Sequence, residues 1–170
     1  MSIRPKDSGD VVAELRKSLE LRAHWQLAQH TDWKYGGIPG LLLQFGRSFR
    51  RVPPPRIRGG WNRKRKECFR NAYLNMSKDP DRFVYCEGYL SIGGAEPPIE
   101  HAWIIDRASP DGAIDTTLAP GEHLYFGIPL MLSYMNRLNS AHCQWPCLWN
   151  VSLFKGELSV EAFTGLELFP

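Results

Sequence analysis

The 170-residue sequence predicts an α+β fold, in which N-terminal helices and a helix that bears a cysteine pack on an antiparallel sheet. Apolar residues recur at three- and four-residue steps over 10–30, as they do on one face of a helix. Strand-length apolar runs separated by turn residues follow after residue 80. Helices followed by neighbouring strands are typical of an α+β domain. We expect a single domain over 1–170, because a chain of this length with 43% hydrophobic residues can bury its own core.

The N-terminal part, 1–46, is predicted to be helical. Asp10 is suited to cap a helix that runs to about His30. The apolar face of that helix consists of Val12, Leu15, Leu19, Ala23 and Leu27. Glycines within 36–40 end the pattern, and the apolar run 41–45 is either a short helix or a buried turn.

The basic segment, 47–66, is predicted to be an extended connection. It holds nine of the 21 basic residues and no acidic one, so the rest of the chain is net acidic. Its prolines at 53–55 and glycines at 59–60 disfavour regular structure. Such a segment suits an anionic partner, either a nucleic acid that stacks on Phe49 and Trp61 or an acidic protein surface. A solvated loop is the third interpretation.

The remaining part, 67–170, is predicted to be an α+β core. A helix over 67–78 ends at Asp79-Pro80, because proline cannot continue a helix. Strands are predicted over 82–92, 99–106 and 113–118, with a tight turn at 109–112 between the last two. A helix is expected from Gly127-Ile128-Pro129 to Asn139, followed by a strand over 148–154.

Three side chains in this core have complementary chemistry. Cys68 lies in the first turn of a helix, His101 on a strand and Asp115 on the next strand. Unpaired amides at a helix start favour a thiolate, as do basic residues next to it. A histidine can take the thiol proton, and a carboxylate can orient that histidine. Because each group belongs to a different element, the three can converge into a catalytic triad.

Each of the three residues also has a purely structural interpretation. His101 shares a strand face with Trp103 and could be a core histidine; Asp115 could cap a turn, and Cys68 could be a small buried hydrophobe. A zinc site made of the three is a further alternative. A second group, His123, His142, Cys143 and Cys147, lacks the tight Cys-x2-Cys spacing of zinc knuckles. We therefore expect no metal and no cofactor.

The motif His101-Ala102-Trp103 on a strand, after a helix-borne cysteine and before Asp115-Thr116, resembles the transglutaminase-like branch of the papain-like cysteine enzymes. The resemblance covers about 62–117. It implies a papain-like fold and a thiol hydrolase or acyltransferase that acts on a peptide or glutamine-type amide through a thioester. Protease, deamidase and transglutaminase activities all fit. It also implies that Asn62, six residues before the cysteine, lies in the oxyanion hole, where the family often has glutamine.

Two further residues are candidates for substrate contacts. Glu87 shares a strand face with aromatic residues, where a carboxylate needs a partner, either a substrate amine or a structural arginine. Trp103 lies next to His101 on the same strand face. A protein or peptide substrate is the expected partner of these residues.

The alternative function is that of a non-enzymatic nucleic-acid-binding or adaptor protein that uses 47–66, with Cys68 and His101 as core residues. No apolar run in 1–10 suits a signal peptide, and no run is long enough to span a membrane. We therefore expect a cytoplasmic protein with reduced cysteines. Delivery elsewhere by a route without a signal peptide stays open.

Overall fold

A computed structural model describes residues 8–92, 97–142 and 146–165 of the chain. Its helices are α1 Ser8–Gln29, α2 Gly37–Phe45, α3 Cys68–Met76, α4 Leu132–His142, α5 Val151–Lys155 and α6 Val160–Phe163. Its strands are β1 Arg47–Arg51, β2 Phe83–Ile92, β3 Ile99–Asp106, β4 Ser109–Ile114 and β5 His123–Pro129.

The five strands close into a barrel in the order β1-β4-β3-β2-β5, with β5 pairing back to β1. The β1–β4 pair is parallel and the other pairs are antiparallel. The predicted fold class is therefore wrong in its architecture. The protein is α+β, but the sheet is a closed barrel and not the open antiparallel sheet of papain-like and transglutaminase-like enzymes. Strands β1 and β5, which the sequence pattern did not predict, produce the closure.

The two missed strands have unusual compositions. Strand β1 lies at the start of the segment expected to be a connection, and Phe49 is its single buried side chain. A strand with one buried residue and four polar ones shows no recognisable alternation of apolar and polar residues. In β5, Gly127 and Pro129 suggested a helix start. Gly127 instead allows close packing, because a Cβ atom there would collide with the Trp103 ring and the Glu87 carbonyl. Pro129 is tolerated because it is the last residue of the strand.

One hydrophobic core lies on each side of the sheet. The barrel interior is filled by Phe49, Val84, Cys86, Leu90, Trp103, Ile105, Ala113 and Tyr125. The outer face, which includes Ala102 and Ile104, packs in a larger core with residues of α1, α2 and α3. Alternation along β3 therefore places His101 on the interior side together with Trp103.

Other elements differ from the prediction in their bounds. The predicted turn at 109–112 belongs to β4, and Asp115 follows that strand directly instead of lying within it. The predicted strand over 148–154 is largely α5, which Asn150 caps by accepting a hydrogen bond from the Ser152 amide at 2.9 Å. Residues 127–129 end β5, and the helix expected there begins at Leu132. Within the described ranges, no helix has both the length and the hydrophobicity to cross a membrane.

Candidate active site

His101 and Asp115 form a buried pair at the start of β3. His101 Nε2 lies 2.8 Å from Asp115 Oδ2, and both residues are 3% exposed. Strands β3 and β4 are neighbours in the barrel, with Ile104 opposite Ile114, and Asp115 follows β4 directly. Of the three candidate catalytic residues, these two are therefore in direct contact.

The Asp115 carboxylate is held by four donors. Oδ1 accepts from the backbone amides of Thr117 at 2.7 Å and Leu118 at 3.2 Å, and Oδ2 also accepts from the Tyr125 hydroxyl at 2.9 Å. Burial alone would raise the pKa of Asp115, but the bond to His101, the charge of His101 and the Thr117 amide lower it below its ordinary value. The carboxylate is thus ionised and has a defined orientation.

Cys68 is the first residue of α3 and is partly exposed. Burial would lower the pKa of His101, but hydrogen bonds to Asp115 and to Cys68, with the negative charge of both, raise it to about 9. Because Nε2 faces Asp115, Nδ1 is the ring nitrogen left for the thiol. The imidazole thus interacts with both side chains, and the negative charge of Asp115 favours its protonated form.

Two buried asparagines on α3 fix this helix against the chain that carries Asp115. Asn71 donates to Thr117 Oγ1, and Asn75 donates to Thr116 Oγ1, each at 3.0 Å. On their other side, Asn71 contacts the backbone of Lys64 at 2.7 and 3.2 Å. Asparagines at i and i+4 share one helix face, the face that continues to Cys68. Helix α3 is therefore positioned by polar contacts to Thr116 and Thr117 and to the backbone of Lys64.

Sequence reasoning missed four contributors to this site: Asn71, Asn75, Arg51 and Tyr125. The asparagines carry a recognisable signal, because two amides four residues apart on an apolar helix face need buried partners. Arg51 donates to the carbonyl oxygens of Leu118 and Ala119, each at 2.6 Å, and of Asp115 at 3.3 Å. Arg51 belongs to the basic segment, 47–66, which was interpreted as an extended connection. The sequence offered no reason to assign Arg51 a role different from that of the other basic residues in this segment.

Tyr125 was also missed, because it lies in the strand that was taken for a helix start. Its hydroxyl contacts the Asp115 carboxylate inside the barrel, and burial together with that negative charge raises the pKa of Tyr125 far above its ordinary value. The hydroxyl therefore stays protonated and acts as a permanent donor to Asp115.

The structure does not bring Asn62 to the cysteine. Its backbone amide and its side-chain amide both donate to Asn75 Oδ1, at 2.8 and 3.2 Å. Asn75 lies seven residues after Cys68 on α3, which is about 10 Å along the helix axis. The side chain expected in the oxyanion hole is thus used to anchor the other end of the helix.

Glu87 is buried and has partners within the protein. Its carboxylate accepts from the Tyr85 hydroxyl at 2.5 Å and from the backbone amides of Cys147 at 2.7 Å and Leu148 at 2.8 Å. Burial raises its pKa, although these donors act in the opposite direction. Glu87 therefore holds the chain at 147–148 against β2. Its partners in the structure are a tyrosine hydroxyl and two backbone amides, instead of the expected substrate amine or arginine.

Trp103 lies in the barrel interior and is 1% exposed, with its ring packed against Phe49 and Tyr125 at centroid distances of 5.6 and 5.1 Å. A substrate in solution cannot reach this indole. The strand face that Trp103 shares with His101 belongs to the core. Trp103 is therefore close to His101 in sequence but is too deeply buried to contact a substrate.

The side chains considered as alternative metal ligands, where the structure describes them, do not form a cluster. Among 8–92, 97–142 and 146–165, no group of three or more His, Cys, Asp or Glu side chains is arranged to hold a metal ion. Cys143, one of the residues considered for a second site, lies outside those ranges.

Comparisons with protein-family models, with curated proteins and with solved structures find no match for this chain. The resemblance of the motif to transglutaminase-like enzymes therefore stays a prediction from a few residues.

Proposed function

We propose that this protein is a cysteine-dependent acyl-transfer enzyme, a hydrolase or acyltransferase acting on a peptide or glutamine-type amide. The observation that carries the proposal is the buried pair of His101 and Asp115 at 2.8 Å, together with the partly exposed Cys68, which is one of the groups that raise the pKa of the same imidazole. Nucleophile, base and orienting carboxylate are the parts that covalent acyl transfer needs.

In the proposed reaction, the Cys68 thiolate attacks the carbonyl carbon of the amide, and a C–S bond forms. The imidazolium of His101 then gives its proton to the leaving amine as the C–N bond breaks, which leaves a thioester on Cys68. Water or a second amine, deprotonated by His101, attacks the thioester and releases the thiolate. Asp115 holds the ring orientation throughout and stabilises its charged form.

A backbone amide is the best candidate for stabilising the oxyanion. The first hydrogen bond of α3 runs from the Asn71 amide to the Glu67 carbonyl at 2.8 Å, so the amide of Cys68 precedes the helical ladder. Amides in the first turn of a helix have no acceptor within the helix, and they can donate to a developing negative charge. We assign this role to the Cys68 amide in place of the Asn62 side chain.

Trapping of the acyl-enzyme tests the proposal. The protein is mixed with p-nitrophenyl acetate, the reaction is quenched in acid, and the modified residue is located by peptide mapping. We expect a burst of nitrophenolate and an acetyl group on Cys68 that hydroxylamine removes, with neither in Cys68→Ala. A Cys68 that stays unmodified, or that is acetylated equally fast in His101→Asn, would overturn the proposal.

Incubation of the protein with a glutamine peptide, followed by analysis of the products, distinguishes hydrolysis from transfer. Ammonia release without amine incorporation identifies a deamidase, and incorporation of an added primary amine identifies an acyltransferase. Release of a shorter peptide identifies a protease.

A further inference from the structure

The basic loop, which is the part of the basic segment after β1 (52–66), is anchored to the helix of the candidate nucleophile. The side-chain amide of Asn75 on α3 donates to the Asn62 carbonyl at 3.0 Å. Just after α3, Lys78 Nζ donates to the Gly60 carbonyl at 2.5 Å. The charged side chains of the basic loop therefore project from backbone that is bonded to α3 and the residues next to it.

The cations of the basic loop are exposed, and most of them have no acidic partner among the described residues. Its exposed basic residues are Arg56, Arg58, Arg63, Lys64, Arg65 and Lys66. Lys64 pairs with Glu67. Within the described part of the chain, the other five take part in no ion pair. Guanidinium groups of this kind are available to carboxylates of a ligand.

These cations lie next to the candidate nucleophile. Lys66 is two residues before Cys68, so their Cα atoms are at most about 8 Å apart. Glu67, the residue between them, is already bonded to Lys64 and, at 3.0 Å, to Arg70. Its negative charge is therefore compensated within the protein. The surface beside the partly exposed thiol is thus positive.

The aromatic rings of the basic segment favour an acidic peptide over a nucleic acid as the partner. Proteins bind single-stranded nucleic acids largely through bases that stack on aromatic rings. Phe49 is 1% exposed and packs in the barrel interior. The Trp61 indole donates to the Pro55 carbonyl at 2.8 Å, and its ring packs on Phe83 at a centroid distance of 5.5 Å. Both rings are thus engaged within the fold, and the guanidinium groups that remain match carboxylates through paired N–H donors.

We propose that the basic loop docks an acidic segment of the peptide substrate, with glutamate or aspartate side chains on Arg63, Arg65 and Lys66 and the reacting amide at Cys68. The proposal rests on the thiol acyl-transfer function and specifies its substrate class. A single exposed ion pair contributes little, so several carboxylates are needed, and their effect decreases with salt. Positive potential beside the thiol also raises the rate of encounter with an anionic chain.

Affinity labelling by iodoacetyl peptides measures this docking. The Cys68 thiolate displaces iodide from the iodoacetyl carbon, so a C–S bond forms as the C–I bond breaks. Two peptides are compared that differ only in carrying four glutamates or four glutamines after a glycine linker, and N-acetylcysteine gives the ratio of their intrinsic rates. Relative to that ratio, we expect the glutamate peptide to label Cys68 about tenfold faster or more at low salt, and most of this advantage should be lost at high salt.

Matched double variants locate the docking surface. Arg63→Ser combined with Arg65→Ser should bring the two peptides to nearly equal rates. Lys17→Ser combined with Lys34→Ser removes the same charge from exposed residues of α1 and of the chain that follows it, and it should keep the preference. Because both peptides are compared within one variant, any change in the reactivity of the thiol itself cancels.

The outcomes separate the docking proposal from the acyl-transfer function. Equal rates for both peptides in the wild type would overturn the docking proposal, as would a preference that Arg63→Ser with Arg65→Ser leaves unchanged. An oligothymidylate that blocks labelling more strongly than an iodine-free glutamate peptide of the same net charge would identify a nucleic acid as the partner and would also overturn it. Alkylation of Cys68 by iodoacetamide that is as slow as that of Cys86 would instead overturn the acyl-transfer function, and the ratio between the two peptides would still report the docking.

Discussion

The side-chain amide of Asn71 donates to the hydroxyl of Thr117 across 3.0 Å, which joins the helix of Cys68 to the loop of Asp115. The Thr117 amide in turn donates to Asp115 Oδ1 at 2.7 Å. The helix that carries Cys68 and the orienting carboxylate are thus connected through these two hydrogen bonds. Their relative position depends on buried polar groups that take no part in the proposed chemistry.

Replacement of Asn71 by alanine should therefore affect both stability and reactivity. It leaves the Thr117 hydroxyl and the Lys64 backbone without their partner, and we expect a loss of about 1–3 kcal/mol in the free energy of unfolding. Acetylation of Cys68 should also slow severalfold. Urea unfolding and the acetylation burst measure the two effects. Leu74→Ala, an exposed change on the same helix, is the control. A stable Asn71→Ala protein with a normal burst would show that this contact does not position the site.

The pKa of His101 should depend on Asp115 and much less on Tyr125, although the Tyr125 hydroxyl and His101 contact the same oxygen of Asp115. The Asp115 carboxylate is one of the groups that raise the pKa of His101 to about 9, so Asp115→Asn should lower it. NMR titration of the imidazole measures the value. Tyr125→Phe keeps the carboxylate and should leave the pKa high.

The Asp115→Asn change should also slow acetylation of Cys68 by about a hundredfold or more, because the imidazole loses the partner that sets its tautomer. An unchanged His101 pKa in Asp115→Asn would contradict the assigned pairing. So would an equal decrease in Tyr125→Phe.

Stability should depend on pH through His101. Its pKa is raised from 6.5 to about 9 on folding, so the protonated ring stabilises the native state below pH 6.5, and this contribution is lost as pH rises through about 9. A shift of this size corresponds to about 3 kcal/mol for a buried group. The difference in unfolding free energy between wild type and His101→Asn should shrink over this range. A difference that is constant with pH would contradict the shift.

The sequence predicted the individual elements of the site better than the fold that contains them. Strand β3 has the predicted bounds, Ile99–Asp106, because its turn residues and its apolar alternation are both strong local signals. Closure of the barrel depends instead on long-range pairing of β1 and β5. Those strands contain arginines, a glycine and a proline that suggest other structures when taken alone.

The role of individual residues shows the same limit. The resemblance implied a role for Asn62 in the oxyanion hole, but its contacts are made with Asn75, thirteen residues away. Likewise, Glu87 was recognised as a carboxylate in need of partners, yet the amides of 147 and 148 that supply them are distant in sequence. Such pairings follow from the fold, and the fold was predicted as an open sheet.

The basic residues before Cys68 should tune its reactivity modestly. Glu67 directly precedes the cysteine and is paired with Lys64 at 2.5 Å and Arg70 at 3.0 Å. Conversion of Arg63, Lys64, Arg65 and Lys66 to serine removes nearby cations and one partner of Glu67. Alkylation of Cys68 by iodoacetamide should slow by about two- to fivefold at low salt and less at high salt, since exposed charges are screened.

Glu67→Gln is the matched opposite change and should speed the alkylation. Oligonucleotide titration of the serine variant tests the alternative function. Tight, salt-sensitive binding by the wild type that is lost in this variant, with Cys68 reactivity unchanged, would favour a nucleic-acid-binding role for the basic segment.

The most direct test of the central claim, that Cys68 is a nucleophile activated by His101, is a brief labelling with iodoacetamide near pH 6 followed by mass spectrometry. Cys86 and Cys147 are internal references, because both thiols are buried and burial raises the pKa of each far above its ordinary value. We predict rapid labelling of Cys68 in the wild type, little labelling of the two references, and a decrease of at least tenfold for Cys68 in His101→Asn. Labelling of Cys68 that is as slow as that of Cys86, or equally fast without the imidazole, would contradict the account.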